Sequence, residues 1–192
     1  AVAALTVFTM STIAEPFFVM DDLGAGSLGY GVLITGWTLG MAAGAARLAH
    51  RVAPSGLAAG ALVAIVAQGL GIAAAGVSPV LATAVVGFAF GGLAHGVKNV
   101  LLRTLIHEHV PEALRGRAFA AYNGARNGAE LMALALGGVV VGALGARTGL
   151  VASGLVPAAI GLGCLLLLST TRRRAAAATT IEARSIHARV QS

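Results

Sequence analysis

Apolar residues run through this chain in long blocks, separated by a few short polar stretches. No Asp, Glu, Lys or Arg stands between Ser55 and Gly96, and none between Val151 and Thr171. About 20 predominantly apolar residues suffice for a helix to cross a bilayer. Lipid offers no partner to backbone N–H and C=O groups, so such blocks are expected to be helices. The pattern predicts six spans, at roughly 2–20, 28–46, 56–77, 80–106, 118–144 and 150–169. Asp21 and Asp22 end the first, Arg47, His50 and Arg51 follow the second, and Ser78-Pro79 closes the third. A polar loop at 107–117 precedes the fifth span, and Arg172, Arg173 and Arg174 stop the sixth. The Ala-, Thr- and Arg-rich tail, 171–192, is expected to be disordered. The fold class is therefore all-α membrane protein, a six-helix transmembrane bundle at 1–170.

Composition agrees with this. Of 192 residues, 57% are hydrophobic and only 10% charged, where a soluble domain carries roughly a quarter. The net charge of +6 would suggest nucleic acid on a soluble protein. Here the basic residues sit at the ends of apolar runs, where they set orientation, so no nucleic-acid partner is expected. Arg47, Arg51, Arg103, Arg115, Arg117, Arg172, Arg173 and Arg174 fall on one side of a six-span layout. The other side holds only Arg147, with Asp21 and Asp22. Both termini are thus expected in the cytoplasm, on a multi-pass protein of the plasma (inner) membrane. The one cysteine, Cys164, permits no internal disulfide. The chain lacks both a basic signal-peptide start and an initiator Met, so it is expected to be part of something longer.

The 27 glycines are spaced as well as numerous. Gly36, Gly40 and Gly44 make two GxxxG steps in the second span. Gly87, Gly91 and Gly92 mark the fourth, and Gly124, Gly128, Gly138 and Gly142 the fifth. Small residues four apart let helix backbones approach closely in lipid.

Charged groups inside a span are costly and need a reason. Glu15, beside Pro16, with Thr9, Ser11 and Thr12 nearby, is a candidate proton carrier. Its alternative is a carboxylate reaching to the outer interface. In the fourth span His95, Asn99 and Arg103 stack on one helix face, with Lys98 beside them. Such a stripe is expected to face a wet cavity, Arg103 belonging to the cytoplasmic cap. In the fifth span, with Tyr122, Asn123 and Asn127, Arg126 and Glu130 stand four apart and can pair along their helix, as a structural pair or a gate contact. No metal-ligand spacing appears, His107 and His109 being a weak pair in a loop. There is no phosphate loop and no nucleophile elbow, so neither cofactor nor catalysis is expected.

Three segments carry a family resemblance. GMAAGAARLAHRVAPSG, 40–56, resembles the second-half copy of the cytoplasmic loop motif of the major facilitator superfamily. Gly40, Gly44, Ala49 and Arg51 fit it, with Arg47 in the same loop. His50 stands where Asp is usual, and Ala53 replaces a Gly. VPEALRGRAFAAYNG, 110–124, resembles the loop before the penultimate span, where P-x-x-x-R-G-R, here ending in Arg115, Gly116 and Arg117, is common in efflux-type members. LGARTG, 144–149, resembles the short outer turn before the last span. The resemblance covers about residues 1–170 and implies the C-terminal half of a twelve-helix transporter.

It implies that the first and fourth spans, with Glu15, His95, Lys98 and Asn99, line a central cavity. It implies that the second and fifth, with Arg126 and Glu130, meet the other half. The implied activity is alternating-access transport of a small molecule, as proton-coupled efflux of amphiphilic compounds. The implied partners are the bilayer, the small-molecule substrate, protons, and a missing N-terminal six-helix half or a second copy. The competing possibilities are a non-transporting membrane scaffold or sensor and a lipid-acting membrane enzyme.

Overall fold

A computed structural model describes residues 11–190, with side chains described as far as Thr171 except at His50. Expectations for residues 2–10, Thr9 among them, and for the His50 side chain lie outside the described residues. Helix α1 is Ser11–Phe17, running into a wider π turn at Phe18–Asp22. Helix α2 is Gly26–Ala43, extended by a second π turn at Gly44–Leu48. Helices α3, Leu57–Gly76, and α4, Leu81–His109, come next. Helices α5, Glu112–Leu144, and α6, Ala146–Val190, complete the chain. Among the described residues, the helices from α2 to α6 are each long and apolar enough to cross a membrane. The chain is an integral, multi-pass membrane protein of all-helical fold.

Helix ends reflect local chemistry. The polar segment at 107–117, expected to be a loop, shrinks to a break at Val110 and Pro111. Proline pushes its predecessor out of the helical region, and Val110 is extended at φ −105°. Residues on either side contain no other proline, so α4 and α5 run up to it. Gly145 makes the reversal between α5 and α6 at φ +81°, a backbone conformation closed to most L residues. The tail expected to be disordered continues α6 to Val190 instead. No Gly or Pro interrupts 172–190, and four alanines stand at 175–178. Alanine has the highest intrinsic helix propensity, which here outweighs the absence of an apolar stripe.

Tight packing joins α2 to α4, α4 to α3, and α3 to α6. The α2–α4 crossing is reciprocal. A Cβ on Gly40 would collide with the Ala89 carbonyl, and one on Gly44 with that of Leu93. A Cβ on Gly92 would collide with the Trp37 carbonyl, and one on Gly96 with that of Met41. Gly69 and Gly154 play the same part between α3 and α6. In α5 only Gly137 does so among the described residues, where a Cβ would meet the Ile13 side chain of α1. Gly124, Gly128, Gly138 and Gly142 have open space where a Cβ would stand.

Two apolar clusters hold the bundle. One gathers Phe18, Leu33, Ile72, Phe88 and Leu150 from five helices at the end where α3 stops and α4 begins. The other, Leu57, Ala61 and Leu101, lies toward the opposite end of α3 and α4. Arg147 ties the first cluster together. It donates to the Gly76 carbonyl at 3.0 Å and the Ser78 carbonyl at 2.8 Å. Its guanidinium also lies 5.0 Å from the centre of the Phe18 ring.

Candidate functional site

A cavity of about 220 Å³ opens on the side of the bundle where α1, α2, α4 and α5 meet. Its lining is Ser11, Thr12 and Glu15 from α1, Ile34 and Trp37 from α2, His95, Lys98 and Asn99 from α4, and Tyr122, Arg126 and Glu130 from α5. Each helix brings its polar groups by periodicity. Residues 11, 12 and 15 share a face of α1, residues 95, 98 and 99 a face of α4, and residues 122, 126 and 130 a face of α5.

The structure thus brings Glu15, His95, Lys98, Asn99, Arg126 and Glu130 together, although 115 positions separate the first from the last. Glu15 and Lys98 are each only 8% exposed. Ser11 hydrogen-bonds the Glu15 carboxyl from one turn earlier. Pro16 has no N–H, so the Thr12 carbonyl lacks its usual helical donor, on a residue that lines the cavity. The π turn immediately after it widens the same helix, a device frequent at functional sites.

The Lys98 ammonium donates to His95 Nδ1 at 3.2 Å. An ammonium has no lone pair, so that imidazole nitrogen must accept, which places any ring proton on Nε2. Trp37 crosses His95 at 5.2 Å between ring centres and packs edge-on to Phe88 at 5.9 Å. Aromatic contact and hydrogen bond together fix the imidazole from two sides. Arg126 and Glu130 are exposed, and no ion pair joins them among the described residues. Each side chain remains at the cavity's open rim.

Other expected positions fall elsewhere. Arg103 is exposed and outside the cavity lining. Gly40 and Gly44 pack on α4, while Arg47 and Arg51 are exposed in the turn beyond. Arg115 Nε donates to the Val110 carbonyl at 3.2 Å, closing the α4–α5 break. Gly116 and Arg117 are exposed beside it. Among the described residues no group of three His, Cys, Asp or Glu could hold a metal ion. Sequence reasoning misses Trp37, although it is the only tryptophan and lies three residues before Gly40.

Three helices converging ionisable groups on one wall of an apolar bundle, with Trp37 of a fourth beside them, make this a membrane transport architecture. The family model of the Major Facilitator Superfamily matches the chain over residues 1–192, and the chain belongs to that family of membrane transporters. No curated protein and no solved structure matches it.

Proposed function

We propose that this chain is one six-helix half of a proton-coupled exporter working by alternating access. The observation that carries the reading is the shared cavity wall, on which a nearly buried carboxyl, Glu15, and a nearly buried amine, Lys98, stand with His95, Asn99, Arg126 and Glu130. A second bundle facing this wall would enclose the cavity at mid-membrane, the usual site in such transporters. The P-x-x-x-R-G-R segment ending at Arg117 supports export over import.

In the cycle, the outward-facing cavity lets Glu15 take a proton, held in register by Ser11. Closure of the outer side and opening of the inner side expose the carboxyl to the cytoplasm, where it gives the proton up. The anionic site then admits an amphiphilic substrate, and the return movement carries it outward. Lys98, anchored on His95, is the second group able to change charge as the cavity switches sides. Arg126 and Glu130, at the rim, are placed to contact the opposing bundle in one of the two states.

The test uses this bundle together with the second bundle that completes the transporter, in proteoliposomes with an imposed pH gradient and a fluorescent amphiphilic dye as cargo. Glu15→Gln is expected to lower gradient-driven dye movement by about tenfold or more. Gradient-independent exchange of the same dye is expected to survive. Undiminished gradient-driven transport by the variant overturns the assignment of Glu15.

A further inference from the structure

The ionisable groups of the cavity wall are sorted along the helix axes. A Cβ on Gly29 of α2 would meet the side chains of both Val19 and Leu81, so these three residues mark one level of the bundle. Glu15 stands four residues from Val19 on α1, about 6 Å of helix, and Lys98 seventeen from Leu81 on α4, about 25 Å. The backbones that carry the carboxyl and the amine therefore differ by about 20 Å in depth. Trp37 falls between them, since a Cβ on Gly92, eleven residues from Leu81, would collide with its carbonyl.

Positive charge collects at the Lys98 end. The Arg126 guanidinium of α5 lies near enough to Lys98 and His95 to act electrostatically on both. Arg103 stands one turn beyond Asn99 on the same face of α4 and adds a third cation on that side. Asn99 and Tyr122, which also line the cavity, offer an amide N–H and a phenolic O–H. Glu130, the other acid of the wall, is one turn from Arg126 in the direction of Gly137, where a Cβ would meet Ile13 of α1. It therefore stands on the Glu15 side of the guanidinium.

We propose that the cavity binds an amphiphilic organic anion, its carboxylate or sulfonate between Lys98 and Arg126 and its apolar body along Trp37. A guanidinium and a carboxylate pair through two parallel hydrogen bonds. The Lys98 ammonium, fixed on His95 at 3.2 Å, supplies a point charge opposite. The half-buried Trp37 indole offers a flat apolar surface to the rest of the molecule. Glu15 alone would favour a cation, and distance decides against it. In one medium, a cation in contact at about 4 Å outweighs a carboxylate at about 20 Å roughly fivefold. The proposal rests on this wall being the substrate surface assigned above, but not on proton coupling.

Trp37 is the only tryptophan of the chain, so its emission reports on the cavity without a label. Every group named lies on this chain, so the full chain in a non-ionic detergent is titrated with three compounds. They share a nitrophenyl ring, which quenches indole emission on contact: nitrophenylbutyrate, its neutral amide, and the nitrophenylbutyl-trimethylammonium cation. The carboxylate is expected to quench saturably and to bind about tenfold more tightly than the amide, the cation most weakly. Arg126 is exposed, so Arg126→Gln puts no folding at stake. It is expected to bring the carboxylate down to the affinity of the amide, with the amide itself unmoved. Tighter binding of the cation, equal affinity for the three, or no saturable quenching by the carboxylate overturns the proposal. So does a carboxylate preference that survives both Arg126→Gln and Lys98→Met. The titration applies no proton gradient, so undiminished transport by Glu15→Gln would remove the proton assignment and leave this binding as it stands.

Discussion

Gln68 is 1% exposed, and neither its amide nitrogen nor its amide oxygen has a hydrogen-bond partner. A buried amide without partners costs about 1–3 kcal/mol relative to one that is satisfied. Leucine has nearly the same volume and no polar atoms. Gln68→Leu is therefore expected to stabilise the bundle by about 1–3 kcal/mol, read as a rise in melting temperature in detergent. An unchanged or lower melting temperature would mean that the amide is satisfied after all. Gln68 escapes a sequence reading because it carries no charge, and only charges interrupt a hydropathy profile strongly. Glu15 and Lys98 are legible for the opposite reason, each standing out in an apolar run. Trp37 is hidden because an aromatic residue in a span is ordinary until a neighbouring helix places His95 against it.

The α2–α4 pair shows how helices of this protein are held. Their backbones touch through glycines on both sides, leaving no space for a branched side chain. Gly96→Val is expected to force α2 from α4 at the Met41 carbonyl and to cost about 3 kcal/mol. The same change at Gly128, which faces open space, should cost less than about 1 kcal/mol in the isolated chain. Unfolding midpoints of the two variants, measured side by side, check this, and equal losses would refute it. Spacing of small residues reveals that close crossings exist but not which helices make them. The glycine steps of α2 meet α4, whereas Gly124, Gly128, Gly138 and Gly142 of α5 meet nothing among the described residues, although the four-residue step occurs in both. The π turns at Phe18–Asp22 and Gly44–Leu48 are equally illegible, since one inserted residue leaves no compositional trace.

At the scale of the whole molecule, charge should decide which end of the bundle faces which compartment. Arg47, Arg51, Arg115 and Arg117 lie at one end, and Asp21 and Asp22 at the other. Short loops rich in Arg stay in the cytoplasm. On a Cys164→Ser background, a cysteine in place of Asp22 is expected to react with a membrane-impermeant maleimide added outside intact cells. A cysteine in place of Glu112 should react only after the membrane is opened. The reverse pattern would invert the orientation and with it the direction assigned to transport. The five long helices α2 to α6 can be read from apolar run length alone, because run length is what a bilayer selects. The shared wall can be anticipated only through family resemblance, since nothing in one helix's sequence says which face its neighbours leave open.

Arg147 sets a condition on any movement of this bundle. One guanidinium reaches from the start of α6 to the carbonyls that end α3, and it lies over the Phe18 ring of α1. Sliding the ends of α3 and α6 past each other would break two charge-assisted hydrogen bonds, and sliding the end of α1 would lose the contact of the guanidinium with the Phe18 ring. The three ends therefore travel as a single block. Bending must be taken up further along the helices, and the widened turn in α1, immediately after Pro16, lies at the edge of that block. A lever fixed at one end swings most at the other, so displacement within this chain should grow toward the arginine-rich end.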